Sequence, residues 1–108
     1  MEIANSSINA PAARPQSRNE DELRRQSLIR GHLEAFKFYP ASARRRGIEG
    51  DVDVSFSLTG GGMAEQVKVR KGSGYAVLDR AALMTVARAQ PFPVGNGRYR
   101  FRLRFRRL

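Results

Sequence analysis

The C-terminal part of the chain alternates strictly between large apolar residues and arginines. The apolar positions of this segment are Tyr99, Phe101, Leu103 and Phe105. Successive side chains of a strand point to opposite faces of a sheet, so the alternation predicts a strand with one buried face and one face of arginines. We expect this strand to occupy residues 98–108.

Two earlier segments have the same period of two and predict a hairpin. The first begins at Gly50 and places four apolar residues on one face, namely Val52, Val54, Phe56 and Leu58. The second covers residues 64–71, with Val67 and Val69 facing inward. Residues 59–62, Thr-Gly-Gly-Gly, separate the two and predict a turn, because glycine alone adopts positive φ without a steric penalty.

The segment before the hairpin has helical spacing. Ile29, Leu33 and Phe36 predict a helix over residues 20–36, capped by Asn19, with Phe36 in the core. Pro40 ends this helix, because the residue before a proline is pushed out of the α region. His32 is predicted to lie on the helix surface.

A second helix is predicted between the hairpin and the last strand. Residues 75–89 carry an apolar stripe at helical spacing, consisting of Leu78, Ala82, Val86 and Ala89. Asp79 in the first turn complements the helix dipole, and Pro91 and Pro93 follow the last turn. A short basic turn of helix is predicted at residues 41–46.

The charges on the outward faces predict the order of the strands. The first strand exposes Asp51 and Asp53, the second exposes Lys68 and Arg70, and the third exposes only arginine. Opposite charges on neighbouring strands are stabilising and like charges are destabilising, so the acidic strand should lie between the two basic ones. The predicted fold is therefore α+β, a three-stranded antiparallel sheet of order 2-1-3 with two helices packed on one face.

Composition adds a strong basic bias. The chain of 108 residues has 20 Lys plus Arg against 10 Asp plus Glu, a net charge of +10, and no cysteine. Such a surface suits nucleic acid, an anionic lipid surface or an acidic protein partner. Residues 1–18 are rich in Asn, Ser, Pro and Ala without apolar periodicity, and we interpret them as the flexible end of a linker before one domain at 19–108.

A series of short motifs follows the predicted elements from Ile29 onward. In chain order these are His32-Leu33-Glu34, Tyr39-Pro40, Ala43, Gly47, Gly50, Val52-x-Val54-x-Phe56, Val67-x-Val69, Ser73-Gly74, Leu78-Asp79-x-Ala81-Ala82, Val86, Ala89 and Pro91-Phe92-Pro93. In this order and spacing they resemble the C-terminal domain of TonB-family energy transducers. The resemblance covers residues 29–108, nearly all of the predicted domain.

The resemblance implies a periplasmic domain of an inner-membrane-anchored protein, with residues 1–18 as the end of its linker. Its partners would be an ExbB–ExbD-type motor, reached through a part of the protein outside this chain, and an outer-membrane TonB-dependent receptor. The domain would capture the receptor's box segment as an added strand, for uptake of iron chelates, haem or cobalamin. No cofactor or metal is implied.

The residues expected to bind the receptor segment lie on the last strand and just before Pro40. They are Tyr99, Arg100, Phe101, Arg102, Leu103, Arg104 and Phe105, with Lys37, Phe38, Tyr39 and Pro40 as secondary contacts. Well-known members carry a glutamine-containing segment before the Tyr-Pro pair, where this chain has Phe36, Lys37 and Phe38. This departure suggests a narrower choice of receptor.

An edge strand can bind an extended segment as an added strand, whatever family the chain belongs to. Its unpaired N–H and C=O groups are a template for β-augmentation, although charged residues on an edge also serve simply to prevent aggregation. The same strand could pair or swap with a second copy of the chain.

The alternative from another class is a basic nucleic-acid-binding domain, because aromatic residues interleaved with arginine can form a stacking platform. The alternation argues against nucleic-acid binding, because the aromatic side chains of the last strand lie on the face that the helices should cover. An enzyme is not predicted, because Asp51, Asp53 and Asp79 have no catalytic partner at a suitable spacing.

Overall fold

The computed structural model describes the backbone of residues 4–107 and the side chains of residues 19–107. The elements in chain order are α1 (Ala4–Ala35), α2 (Ala41–Arg45), β1 (Gly50–Leu58), β2 (Ala64–Lys71), α3 (Ala76–Arg88) and β3 (Gly97–Phe105). The three strands form one sheet of order β2-β1-β3, and both neighbouring pairs are antiparallel. The predicted α+β fold and strand order are confirmed.

The register of β1 against β3 explains this order. Asp51 lies opposite Arg104 and Asp53 lies opposite Arg102, so each carboxylate meets a guanidinium directly across the strands. On the other side of β1, Ser55 lies opposite Lys68 of β2. The acidic strand therefore separates the two basic strands, as cross-strand electrostatics requires.

The core lies between the sheet and the helices on one of its faces. From α1 it includes Ile29 and Leu33, and from α3 it includes Leu78, Ala82 and Val86, each with at most 1% of its surface exposed. Four apolar residues of β1 and four of β3 complete this core: Val52, Val54, Phe56, Leu58, Tyr99, Phe101, Leu103 and Phe105. Burying one such large side chain contributes roughly 1.5–3 kcal/mol, so the alternating pattern fixes which face of the sheet the helices cover.

The segment between α3 and β3 is tied to the turn of the hairpin. Phe92 N donates to Gly62 O at 2.8 Å, and Asn96 N donates to Thr59 O at 3.0 Å. Gly62 has φ +82°, and a Cβ atom there would lie 2.5 Å from Phe92 O. Only glycine fits this close approach, which sets the start of β3 beside the end of β1.

Helix α1 is longer than the sequence predicted. It begins at Ala4, so the predicted helix start at residue 20 is wrong. The Asn19 and Glu22 pattern resembles a cap, but these residue types are also tolerated inside a helix, and several alanines precede them. Residues 1–3 lie outside the described part of the chain, and the interpretation of residues 1–18 as a linker end stays a prediction.

Two side chains of the first helix are placed differently from expectation. Phe36 follows the last residue of α1, and its N–H still donates to His32 O at 3.2 Å, but 44% of its surface is exposed, so it is not a core residue. His32 is half-buried rather than on the surface, and its Nε2 lies 2.6 Å from Ala89 O. Because a carbonyl oxygen only accepts, Nε2 is the donor, and His32 links α1 to the C-terminal end of α3.

Candidate functional site

Strand β3 forms one edge of the sheet. It pairs with β1 along residues 97–105, and no other strand in the described part of the chain pairs with its second long side. Because backbone groups of an antiparallel strand alternate between its two sides, every second residue of β3 presents its N–H and C=O to this open side. The outer side of β3 is therefore the candidate functional site.

Two contacts at the end of β3 indicate which residues face the open side. Lys37 Nζ, which comes from the segment after α1, donates to Arg104 O at 2.7 Å, so this carbonyl points away from β1. Arg107 N donates to Glu49 Oε2 at 2.7 Å, toward the start of β1. The alternation then places the open-side backbone groups on the even-numbered residues Arg98, Arg100, Arg102 and Arg104.

The side chains of β3 divide cleanly between the two faces of the sheet. The odd-numbered residues are buried under the helices, with 7% of Tyr99 and 4% of Phe101 exposed. The arginines cover the opposite, outer face, and their side chains are about half exposed, from 48% at Arg106 to 66% at Arg104. An added strand would thus meet open backbone groups and a row of guanidinium groups.

The arginines of β3 are held by the two carboxylates of β1. Asp53 accepts from Arg102 Nε at 2.9 Å and from Arg100 Nη2 at 3.4 Å. Asp51 lies 3.0 Å from Arg106 Nη2 and 4.0 Å from Arg104 Nε. The hydrogen bond from Arg102, which outweighs partial burial, lowers the pKa of Asp53 below its ordinary value of 3.8, and the same bond raises the pKa of Arg102.

The predicted secondary contacts lie at the C-terminal end of β3, but they face two directions. Lys37 bonds to the open edge of β3, and the Tyr39 ring packs 5.6 Å from the Phe105 ring while its hydroxyl donates to Ile48 O. Phe38 instead turns toward α3: its N–H donates to Thr85 Oγ1 at 3.0 Å, and the Arg88 guanidinium lies 5.1 Å from its ring. Pro40 precedes the first turn of α2.

A basic cavity adjoins this end of β3. It has a volume of about 660 Å³ and is lined by Lys37, Tyr39, Arg44, Arg45, Arg106 and Arg107. The last four of these were not among the site residues that the sequence predicted. Their runs of adjacent arginines were visible in the sequence, but only the fold brings α2 beside the end of β3.

A second, smaller groove lies on the outer face of the sheet. Its volume is about 330 Å³, and its lining includes Ser55, Ser57, Lys68, Arg70, Arg98 and Arg100. The described residues contain no group of His, Cys, Asp or Glu that could hold a metal ion. None of the described helices is long and apolar enough to cross a membrane.

The sequence matches a family model described as the Gram-negative bacterial TonB protein C-terminal, over residues 36–106. This match covers more than half of the chain. The chain belongs to the TonB C-terminal family. The matched region begins just before Lys37 and includes all of β3, so it contains every site residue that the sequence predicted.

Individual relatives agree with this assignment to the TonB C-terminal family. The chain is 33% identical over 88 residues to the protein TonB of Pasteurella multocida, covering 81% of this chain and 34% of the relative. It is 40% identical over 62 residues to the protein TonB of Pseudomonas putida, covering 57% of this chain and 26% of the relative. It therefore spans about a third or less of the length of these relatives.

A solved structure supports the fold. The solution structure of the Helicobacter pylori TonB C-terminal domain matches 75% of this chain and 78% of its own length, with a TM-score of 0.65 and 27% sequence identity. A second solution structure of the same H. pylori domain matches with a TM-score of 0.60. The α+β sheet with its edge strand β3 is thus a fold known from the TonB C-terminal family.

Proposed function

We propose that this domain binds the box segment of an outer-membrane TonB-dependent receptor by accepting it as a fourth strand on β3. The observation that supports this most is the open side of β3 in a chain that belongs to the TonB C-terminal family. The open N–H and C=O groups of Arg98, Arg100 and Arg102 form a template for an extended segment. Arg104 extends this template, although Lys37 already occupies its carbonyl.

Such binding would be of moderate strength and reversible. An added strand could form about five main-chain hydrogen bonds, each contributing roughly 0.5–1.5 kcal/mol net, and part of this is offset by ordering the segment. An incoming strand that reaches Arg104 would displace Lys37, whose ammonium group also lies 3.0 Å from Glu34. Lys37 therefore covers the edge in the free domain and becomes available to the partner on binding.

The cellular role that we propose follows from the relatives that carry the TonB name. The domain would lie in the periplasm as part of an inner-membrane-anchored protein. Its connection to an ExbB–ExbD-type motor would run through parts of the protein outside this chain. Receptor capture would then transmit energy from the proton-motive force for uptake of iron chelates, haem or similar nutrients.

The test is a titration of the full chain with synthetic peptides copied from the N-terminal segments of outer-membrane receptors of the same organism. We expect the backbone amide NMR signals of residues 98–104 to shift with saturation, and their hydrogen exchange to slow. The amides of β2, at the opposite edge, should change little. Saturable shifts confined to β2, or to neither edge, would show that receptor capture on β3 is wrong.

A further inference from the structure

The outer face of the β3 edge has an excess of positive charge. Five arginines from Arg98 to Arg106 lie on this face, whereas β1 supplies only Asp51 and Asp53 beside them. Each carboxylate is shared by two arginines, and Arg98 lies opposite Ser57, which carries no charge. The face therefore keeps about three uncompensated positive charges along the edge.

The guanidinium groups have room for a further partner. The side chains of Arg100, Arg102 and Arg104 are 50–66% exposed, and each contacts a carboxylate through one nitrogen. A guanidinium has five N–H donors in a planar fork, so most of these donors remain open toward solvent. Because Asp51 and Asp53 restrict the arginines from the β1 side, the open donors are held near the edge.

The same charges oppose pairing with a second copy of the chain. A symmetric pair of β3 strands would place arginines directly opposite arginines on one face, and like charges so placed are destabilising. Pairing of β3 with β2 of another copy would bring the arginines beside Lys68 and Arg70. The homodimer that the sequence suggested through the last strand is thus disfavoured by the charges of both edges.

Resting on the proposed function, we propose that β3 selects strands with Asp or Glu at every second position, on the face that points away from the helices. These acids would stand opposite Arg98, Arg100 and Arg102, and at the last two they would repeat the contact that Asp53 of β1 makes from the other side. The backbone of β3 then provides the general affinity, and the arginine row fixes the register and the face of the incoming strand. A slip of one residue would turn the acids toward the helices.

Three synthetic peptides of equal length test this selection. The first alternates Asp with Val or Thr, the second has the same composition with its Asp residues contiguous, and the third replaces each Asp of the first with Asn. In about 0.1 M salt we expect the alternating acidic peptide to bind about five- to tenfold more tightly than either of the others, as two or three cross-strand charge pairs would produce. The measurements are calorimetric titration and the amide shifts of residues 98–104.

Two double variants test whether the arginines of β3 cause the preference for the alternating acidic peptide. Arg98→Gln with Arg100→Gln removes two charges next to the incoming strand, and we expect it to abolish most of the preference for the alternating peptide. Lys68→Gln with Arg70→Gln removes two charges from the same face, but on β2, about 14 Å from an added strand at the usual strand spacing. This exceeds the screening length of about 10 Å in 0.1 M salt, so the second variant should retain the preference.

The outcomes separate this proposal from receptor capture itself. If the three peptides shift the β3 amides with equal affinity, strand addition stands and the acidic selection is wrong. If the two acidic peptides bind equally and the neutral one does not, only net charge matters and the selection is also wrong. If no peptide shifts the β3 amides, both proposals fail. A dimer in low salt with protected β3 amides would show that a second copy is the occupant.

Discussion

Asp53 is the residue on which the order of the arginine row most depends. Its side chain is 12% exposed, and it joins Arg100 and Arg102 of β3 across the strand pair. The hydrogen bond from Arg102 lowers the pKa of its carboxyl group, so the ionised form is favoured in the folded protein. The ionised Asp53 therefore holds the side chains of Arg100 and Arg102 beside the open edge of β3.

This contact predicts a dependence of stability on pH. Because the folded-state pKa of Asp53 lies below 3.8, its contribution is fully present above that value and is lost as the pH falls through the lowered pKa. We expect Asp53→Asn to lower the free energy of unfolding at neutral pH by about 1 kcal/mol or less, since both arginines are half exposed. Urea denaturation of both proteins across the acid range measures the difference.

The gap between the two proteins should shrink once the pH falls below about 3.8, because the carboxylate is then protonated in the unfolded state and later in the folded one. Asp21→Asn removes one exposed carboxylate from α1 and serves as the control, which should differ little from the original chain at neutral pH. A gap between Asp53→Asn and the original chain that is constant over the whole acid range contradicts this assignment.

At the level of elements, β3 combines a buried face, a charged face and an open side. The sequence predicted the first two features, because alternation of large apolar residues with arginine specifies both faces at once. It also predicted that β3 lies at an edge, from the charges of the three strands. It did not predict which backbone groups are open, since these are set by the pairing of β3 with β1. The contact between Lys37 and Arg104, 67 residues apart in the chain, indicates them in the structure.

The sequence also failed to predict three other features, because each depends on contacts in the folded structure. The half-buried position of His32 depends on Ala89 O at the end of another helix, which no local pattern records. Phe36 fitted the helical spacing of the core stripe, but it lies at the end of α1, where its ring packs 4.9 Å from the His32 ring and stays 44% exposed. The basic cavity at the end of β3 needs Arg44 and Arg45 to approach Arg107, and only the tertiary fold brings them together.

A proline scan of β3 distinguishes its two sides. Arg102→Pro removes an N–H that points to the open side, so we expect a folded domain that has lost most of its affinity for a receptor-box peptide, about tenfold or more. Leu103→Pro removes an N–H that points to β1 and also disturbs a side chain with 1% exposure, so it should unfold the domain. Circular dichroism reports the folding, and calorimetric titration reports the affinity.

Arg102→Ala is the matched control for the first variant, because it removes the same side chain but keeps the backbone N–H. It should weaken the binding of the same peptide by less than about fivefold, as expected for a screened, exposed charge. Arg100→Ala should weaken the binding of this peptide by a similar factor. If Arg102→Pro remains folded and binds as tightly as Arg102→Ala, the docking strand does not use the open side of β3.

For the whole molecule, the net charge of +10 is the property that most favours a different ligand. A basic domain attracts nucleic acid whatever its function, and the grooves on the outer face and at the end of β3 are both lined by cations. However, the rings of Tyr99, Phe101 and Phe105 are covered by the helices, with at most 7% exposed. Base stacking, which adds to the affinity of single-strand binders beyond their charge contacts, would have no platform on β3.

The final prediction therefore concerns salt. We expect the chain to bind single-stranded DNA or RNA weakly, and to lose roughly fiftyfold in affinity between about 50 and 200 mM salt if some four phosphates are contacted. Tyrosine fluorescence should not be quenched in a double variant, Tyr39→Phe with Tyr75→Phe, because only the buried Tyr99 of β3 then remains. Tight binding above about 0.5 M salt with quenching in that variant would place nucleic acid ahead of a receptor strand, because counterion release alone cannot produce it.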